Sequence, residues 1–351
     1  MKNKSLFTEA IMQWHKTENK RWMPWKGEKD PYKIWLSEVI LQQTRVEQGL
    51  AYYEKFIRCY PGIEDLARAK DEAVFKLWEG LGYYNRCKNL LFTARKIVKE
   101  YKGIFPKDYD EILSLKGVGT YTAAAIASFA FNKPYAVVDG NVFRVLSRFF
   151  GIELAIDSRE GKNIFAVLAQ DVLDKQQAGL YNQAIMDFGA TICKPVNAMC
   201  SHCPLNKHCI AFNKGLVAQL PIKEKTLTKK KRWFYYFLFE HAGRWLVVQR
   251  TRKDIWQNLF EFYLVETEDT ILWNEASVLH FLQEQLQIKK AKVELISPLE
   301  KQQLTHQQIK GQLIKISLPT IPVTLKKFTW VEKEKASQYA FPKFIHQLML
   351  K

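Results

Sequence analysis

Up to about Lys223, apolar residues recur at intervals of three and four, and the chain reads as one helix after another. A basic stretch, KEKTLTKKKR, follows. Beyond it the pattern changes to the short runs WFYYFLFE, WLVVQR and FEFYLVE, rich in aromatic and β-branched residues, which predict strands. Apolar-periodic stretches around residues 277–287 and 339–350 predict helices packed on that sheet. The expected architecture is a mainly α N-terminal domain over residues 1–222, a basic linker over 223–232, and a smaller α+β domain over 233–351. No internal repeat or low-complexity tract interrupts this order.

Two places in the helical part combine helix signals with candidate chemistry. At the first, Asp30 is a natural N-cap and Pro31 suits the first helical position. The periodicity then sets Ile34, Glu38, Leu41 and Arg45 on one face, and the apolar neighbours Trp35, Leu36, Val39 and Ile40 predict a helix buried on most sides. A carboxyl group there loses hydration and its pKa rises, which suits a general acid. A buried Glu paired with an Arg is an equally good reading of the residues alone. At the second, Leu115-Lys116-Gly117-Val118-Gly119-Thr120-Tyr121 joins the apolar EILSL to the small-residue run TAAAIASFAF. Gly117 and Gly119 permit a tight hairpin and leave backbone amides exposed at a helix N-terminus, where phosphate binds; a plain packing corner is the alternative. Asp139 lies downstream in AVVDGNVFRV, where capping the next helix is its simplest role.

Composition adds a partner class. With 53 Lys+Arg against 36 Asp+Glu the net charge is +17, which favours polyanions such as nucleic acid or anionic lipid. No stretch reaches the length of a membrane span, and the amphipathic N-terminus lacks the features of a signal peptide, so no membrane partner is expected and the cytoplasm is the expected location. Four of the six cysteines fall in one run, Cys193-x6-Cys200-x2-Cys203-x5-Cys209. A tetrahedral zinc site and a [4Fe–4S] cluster compete for such a set; a single loop with only one tight pair favours the cluster. Cys59 and Cys87 lie in helical patterns and are expected to be packing residues.

In order and spacing, the segments MPWKGEKDPYKIWLSEVILQQTRVE, LWEGLGYYNRCKNL, LKGVGTYTAAAIASFAF, AVVDGNVFRVLSR, NQAIMDFGATIC and the cysteine loop resemble the helix-hairpin-helix DNA glycosylases, and within them the MutY-type adenine glycosylases, over roughly residues 5–222. The resemblance implies two helical subdomains with DNA and target base between them. The cluster subdomain combines the N-terminal helix with the chain from about Ala136 onward. It further implies Glu38 as the acid, Asp139 as the stabiliser of an oxocarbenium-like sugar, and Tyr121 and Asn141 beside them. Arg21, Trp25, Leu41 and Gln183 fall to the adenine pocket. Gln43, Thr44, Tyr83, Lys116, Gly117 and Gly119 fall to DNA, with Gln43 and Tyr83 as wedges in the opened duplex. Cys193, Cys200, Cys203 and Cys209 fall to a [4Fe–4S] cluster.

The bifunctional lyases of the superfamily place a Schiff-base lysine where this chain has Tyr121, so a monofunctional enzyme is implied. It would remove adenine mispaired with 8-oxoguanine, or with G, from double-stranded DNA, as a monomer. An endonuclease III-like lyase and a non-catalytic iron–sulfur mismatch-binding protein are the alternatives. Lys116 departs from the proline usual after the hairpin's leading leucine. More weakly, RTRKDIWQNLFEFYLVE resembles the Nudix-like domain of the same proteins, without the Gly-Gly turn or the REXXEE carboxylates of a Nudix hydrolase. The implied role is 8-oxoguanine recognition by Thr305 and His306, with Leu304 replacing an aromatic.

Overall fold

The structure is a computed structural model that describes residues 2–224 and 228–350. Lys225, Thr226 and Leu227, part of the expected linker, lie outside the described residues. Helices lead the chain: α1 (Lys2–Thr17), α2 (Pro31–Leu41), α3 (Val46–Cys59), α4 (Ile63–Arg68), α5 (Asp71–Trp78), α6 (Asn85–Tyr101), α7 (Tyr109–Leu113), α8 (Thr120–Phe131), α9 (Gly140–Phe150), α10 (Arg159–Asp171), α11 (Ala178–Thr191) and the short α12 (Ile210–Asn213). By contacts the chain forms two units, Met1–Arg68 with Asn89–Lys225, and Ala69–Lys88 with Thr226–Lys351.

In the first unit, one apolar core joins α1 to the chain beyond α8. Phe7, Ile11 and Trp14 of α1 pack with Val145, Leu146 and Phe149 of α9, Phe165 of α10, and Tyr181, Ile185 and Phe188 of α11. Cys193, Cys203 and Cys209 sit against this core. A second packing centre is α8, whose Ala123, Ala124, Ala125, Ile126 and Ala127 are all buried. Small side chains let α2, α7 and α11 approach it closely. As the sequence predicts, Asp30 caps α2, accepting from the backbone N–H of Tyr32 at 2.9 Å, and Pro31 opens the helix.

One placement differs. Helix α2 stops at Leu41, and Arg45 becomes the residue capping α3 instead of extending the Glu38 face. The chain turns sharply here because Gln43 takes a left-handed backbone conformation, with φ +55°.

Among the described residues the second unit carries eight strands: β1 (Lys230–His241), β2 (Arg244–Gln249), β3 (Phe260–Glu261), β4 (Tyr263–Thr267), β5 (Lys292–Ile296), β6 (Glu300–Gln303), β7 (Gln307–Ser317) and β8 (Thr329–Glu332). Helix α13 (Glu275–Leu286) precedes β5, and α14 (Lys343–Met349) ends the unit. β1 already begins at Lys230, inside the stretch read as linker. The sheet runs β3-β2-β1-β7-β5, with β4 on β1, β6 on β7 and β8 on β2. It is mixed: β1 and β7 pair in parallel, whereas β1 meets β2 and β4 antiparallel. Tyr235, Phe237 and Phe239 of β1 and Ile314 and Ile316 of β7 bury one face under α13. β7 was not among the predicted strands, although its alternation of Ile309, Gly311 and Leu313 with Lys and Gln is the pattern of a half-buried strand. α14 starts four residues later than its periodicity suggests, after Phe341-Pro342, since the residue before a proline avoids the helical region.

Residues Ala69–Lys88 group with this unit through specific bonds. Glu79 accepts from the backbone N–H of Phe341 at 2.7 Å and pairs with His346 of α14 at 2.9 Å. Lys76 Nζ donates to the Tyr339 carbonyl at 3.0 Å. Cys87 is fully buried, as a packing residue should be, but Cys59, at the end of α3, is exposed. It falls on the outer side of an amphipathic helix whose buried positions are Gly49, Tyr53 and Phe56.

Candidate active site

A cavity of about 750 Å³ opens in the first unit. Its lining includes Arg21, Trp25, Glu38, Leu41, Gln43, Thr44, Tyr121, Asp139, Asn141 and Gln183, so ten residues singled out from separate stretches of sequence share one cavity. α2 brings Glu38, the first turn of α8 brings Tyr121, the start of α9 brings Asp139 and Asn141, and α11 brings Gln183.

Glu38 is only 7 % exposed. Burial first, and then the negative charge of Asp139, push its carboxyl up from 4.5 to about 7, against the pull of a hydrogen bond with Tyr121. The Tyr121 hydroxyl is itself driven up by burial and by both carboxylates, so it stays a donor. Asp139 does cap α9, and more. Its Oδ1 accepts the backbone N–H groups of Asn141 and Val142, each at 2.8 Å, and its Oδ2 accepts Asn141 Nδ2 at 2.7 Å. Burial raises the Asp139 pKa, while these three donors and Arg144 oppose the rise. The two carboxyl groups therefore stand in unlike surroundings, one desolvated and one richly bonded.

These shifts carry a stability signature. Because the folded pKa of Glu38 lies above its ordinary value, protonated Glu38 contributes stability that is fully present below about 4.5 and lost as pH rises through about 7. Glu38→Gln, which does not titrate, should gain on wild type across that window by on the order of 3 kcal/mol. Thermal melts of both proteins between about pH 5 and about pH 8 check this. A constant difference in melting temperature would contradict the buried, proton-holding state.

The part of the lining that carries Arg21, Lys26 and Gln183 is organised by Asp187, which the sequence did not single out. Its side chain is fully buried and receives Asn19 Nδ2 at 2.8 Å, Arg21 Nη1 at 2.9 Å, Lys26 Nζ at 2.9 Å and Gln183 Nε2 at 3.0 Å. Trp25 packs edge-on against Tyr53. Two arginines of α9 were missed as well. Arg144 Nε donates to the Cys193 carbonyl at 2.7 Å, and its Nη2 reaches both the Gly189 carbonyl and Asn141 Oδ1. Arg148 bonds the carbonyls of Leu220, Lys194 and Pro195.

Around the cysteine loop, Cys200–His202 and Asn206–His208 form short 3-10 turns. Among the described residues, no group of three or more His, Cys, Asp or Glu is assembled as a metal-binding cluster. The four thiols are free of disulfides, and three of them lie against the α1–α9–α11 core. Burial pushes Cys203 up to about 12, with Cys193, Cys209 and Cys200 adding to the rise, so the four sulfurs are electrostatic neighbours. Arg148 Nη1 lies 3.5 Å from Cys193 Sγ, and four neighbouring thiols are soft donors of the kind that thiophilic metals and clusters take.

The hairpin before α8 needs glycine at one of its two glycine positions. Gly117 has φ +82°, and a Cβ there would come within 2.8 Å of Asn89 Cβ. Gly119, which caps α8, has an ordinary extended backbone, φ -98°, with open space where a Cβ would lie. The Lys116 ammonium lies 4.4 Å from the centre of the Phe92 ring. In the second unit, Leu304, Thr305 and His306 form the tip of the β6–β7 hairpin, closed by Leu304 N–H on the Gln307 carbonyl at 2.8 Å. Tyr83, with φ +50°, hydrogen-bonds Thr305 through its hydroxyl.

Residues 36–170 match the HhH-GPD superfamily base excision DNA repair proteins, and residues 234–351 match the NUDIX domain. Adenine DNA glycosylase of Buchnera aphidicola subsp. Acyrthosiphon pisum is 37 % identical over 77 % of this chain and 77 % of its own length. The Homo sapiens adenine DNA glycosylase is 41 % identical over 58 % of this chain and 39 % of its own. Among solved structures, a thermostable thymine-DNA glycosylase superposes with a TM-score of 0.56 at 31 % identity, covering 61 % of this chain and 98 % of that one. An endonuclease III–DNA complex shares the fold at 21 % identity, with a TM-score of 0.52 over 60 % of this chain and 95 % of that one. Among the described residues no helix is long and apolar enough to cross a membrane. With its helical repair domain, its Nudix-like domain and relatives at this identity, the chain belongs to the adenine DNA glycosylases of base excision repair.

Proposed function

We propose that this enzyme extrudes adenine mispaired with 8-oxoguanine, and with G, from double-stranded DNA and hydrolyses its glycosidic bond without lyase chemistry. The observation that carries the reading is the pair of unlike carboxyl groups in the cavity. Glu38 holds its proton up to about pH 7, and Asp139 is held by three donors. Two carboxyls with opposed protonation states are what glycosidic cleavage needs.

Protonated Glu38 donates to adenine N7 as the C1′–N9 bond breaks, and the bonding electron pair leaves with the base. Asp139 stabilises the positive charge that develops on the sugar. Water then adds to C1′, and its proton returns to the Glu38 carboxylate, leaving an abasic site. Tyr121 bonds Glu38 and Asn141 bonds Asp139, each fixing its partner's orientation. Tyr121 occupies the position where a lyase needs its lysine, which supports hydrolysis over β-elimination. Arg21, Trp25, Leu41 and Gln183 would enclose the extruded base, and extrusion costs a few kcal/mol of unstacking (roughly, for glycosylases in general). Lys116, Gly117 and Gly119 would take backbone phosphates, and Gln43, Thr44 and Tyr83 the opened duplex.

Cys193, Cys200, Cys203 and Cys209 would hold a [4Fe–4S] cluster, whose contribution when bound is to fix the loop carrying Lys194 and Lys207. The same assignment treats 1–222 and 233–351 as the catalytic and lesion-reading domains, and a reducing cytoplasm as the setting that keeps four thiols available. Thr305 and His306 would read 8-oxoguanine, a role supported by the exposed hairpin tip and its bond to Tyr83.

Two comparisons test the reading. Borohydride added during turnover should trap no protein–DNA adduct; a trapped adduct would favour the lyase alternative. Thr305→Ala should slow adenine release opposite 8-oxoguanine by roughly three- to tenfold, the worth of one hydrogen bond, and leave release opposite G unchanged. Equal loss on both duplexes would remove Thr305 from lesion reading.

A further inference from the structure

We infer that Asp187 is a positioning residue that sets which base the pocket accepts, by fixing the sense of the Gln183 side-chain amide. The inference rests on the adenine-pocket reading above. Asp187 is fully buried on α11, one turn after Gln183. Between Arg21 and Lys26, each 2.9 Å away, it is a carboxylate in an ion cluster, and a carboxylate only accepts hydrogen bonds.

The 3.0 Å bond between Gln183 and Asp187 Oδ1 can therefore be made only by the amide nitrogen, Nε2. That choice fixes the whole side chain. Gln183 Oε1, on the other limb of the amide, accepts no hydrogen bond from the described residues, and Gln183 lines the cavity. An unaided glutamine amide presents a donor or an acceptor with equal ease. Here Asp187 commits it to presenting an acceptor.

An acceptor at that point suits a base with an exocyclic amine, which donates. A base with a carbonyl there sets oxygen against oxygen, and a base with hydrogen there leaves Oε1 without a donor. Sites built around a polar group of the ligand discriminate strongly against analogues lacking it. Arg21 and Lys26 are held in the same cluster, and Asn19 bridges Asp187 to His15 Nδ1 at 2.8 Å, so this wall is preorganised before any base enters.

The test is single-turnover base release from three duplexes, with adenine, unsubstituted purine or hypoxanthine opposite 8-oxoguanine. It uses the cluster-loaded wild type, Asp187→Asn, Asp187→Glu, Gln183→Leu and the Asp187→Asn/Gln183→Leu double variant. Intrinsic leaving-group differences cancel when adenine-to-analogue ratios are compared between proteins. Asp187→Asn should compress the adenine-to-purine preference roughly tenfold, because the amide can then turn either way. Asp187→Glu keeps the charge for Arg21 and Lys26 but displaces the acceptor, and should compress the preference in part. It also provides the readout should Asp187→Asn fail to fold. With Leu at 183, the Asn substitution should no longer change the ratio.

Equal slowing of all three bases with ratios preserved, in whichever of the two Asp187 variants folds, would overturn the inference and leave Asp187 a structural ion-cluster residue. A further change of ratio in the double variant would overturn it too. Absence of adenine release by the wild type would instead bring down the underlying glycosylase reading.

Discussion

Glu38→Gln should bind mismatch DNA like the wild type yet release adenine roughly 10²- to 10⁴-fold more slowly, the range for loss of a positioned general acid. The substitution keeps shape and hydrogen-bonding capacity in a site only 7 % exposed, so packing with Ile34, Trp35 and Leu36 should survive. What disappears is a proton that can be given away. The wild-type rate should fall as pH rises through about 7, where burial and the Asp139 charge place the Glu38 titration. On the acid side, activity should fade at a pH above the ordinary aspartate range, because burial raises Asp139, which must be ionised. The residual rate of the Gln variant should lack the alkaline limb. Single-turnover rates across pH for both proteins check this. An unchanged alkaline limb in the variant would assign that titration to another group.

The second large effect is structural and falls on Arg144. Its guanidinium joins the Cys193 carbonyl at the edge of the cysteine loop, the Gly189 carbonyl of α11, and Asn141 Oδ1 beside Asp139. Replacement by Met preserves the apolar stem but strips these acceptors of a charged donor in a buried setting. The cost should be on the order of 3 kcal/mol, or roughly 10 °C in the melting of a domain of this size. Lys should restore little, since a point ammonium cannot span the three acceptors as a planar fork does. Release should slow as well, because Asn141 loses the partner that orients its amide toward Asp139. Melting curves and metal content of Arg144→Met and Arg144→Lys test this. A shift of only about a degree or two would show that the loop and the carboxylate are held independently.

The parts of this site that were legible in sequence are those written locally. Asp30 and Pro31 announce the start of α2 and so place Glu38. The paired glycines at 117 and 119 announce the turn into α8, and the crowded cysteines announce their loop. Asp139 shows the limit of such reading. Capping and a place in the cavity look like alternatives in the sequence, yet Asp139 caps α9 through Oδ1 and also lines the cavity.

What was not legible depends on distance along the chain. Asp187 sits in MDFGAT with no local mark, and three of its partners, Asn19, Arg21 and Lys26, are 168, 166 and 161 residues away. Arg144 and Arg148, four apart on α9, look like a solvated basic stripe, but their acceptors are carbonyls of remote loops. Arg45 was assigned to the Glu38 face because helical periodicity carries no warning of the left-handed turn at Gln43. The β6–β7 hairpin was equally obscure: LTHQ holds none of the Gly, Asn or Pro that mark tight turns.

The most direct measurement is single-turnover adenine release by the cluster-loaded wild-type protein from a duplex carrying A opposite 8-oxoguanine, read with and without alkali after quenching. Free adenine should be released, with strand scission appearing only after alkali. No adenine release, or scission without alkali, would contradict the proposed function.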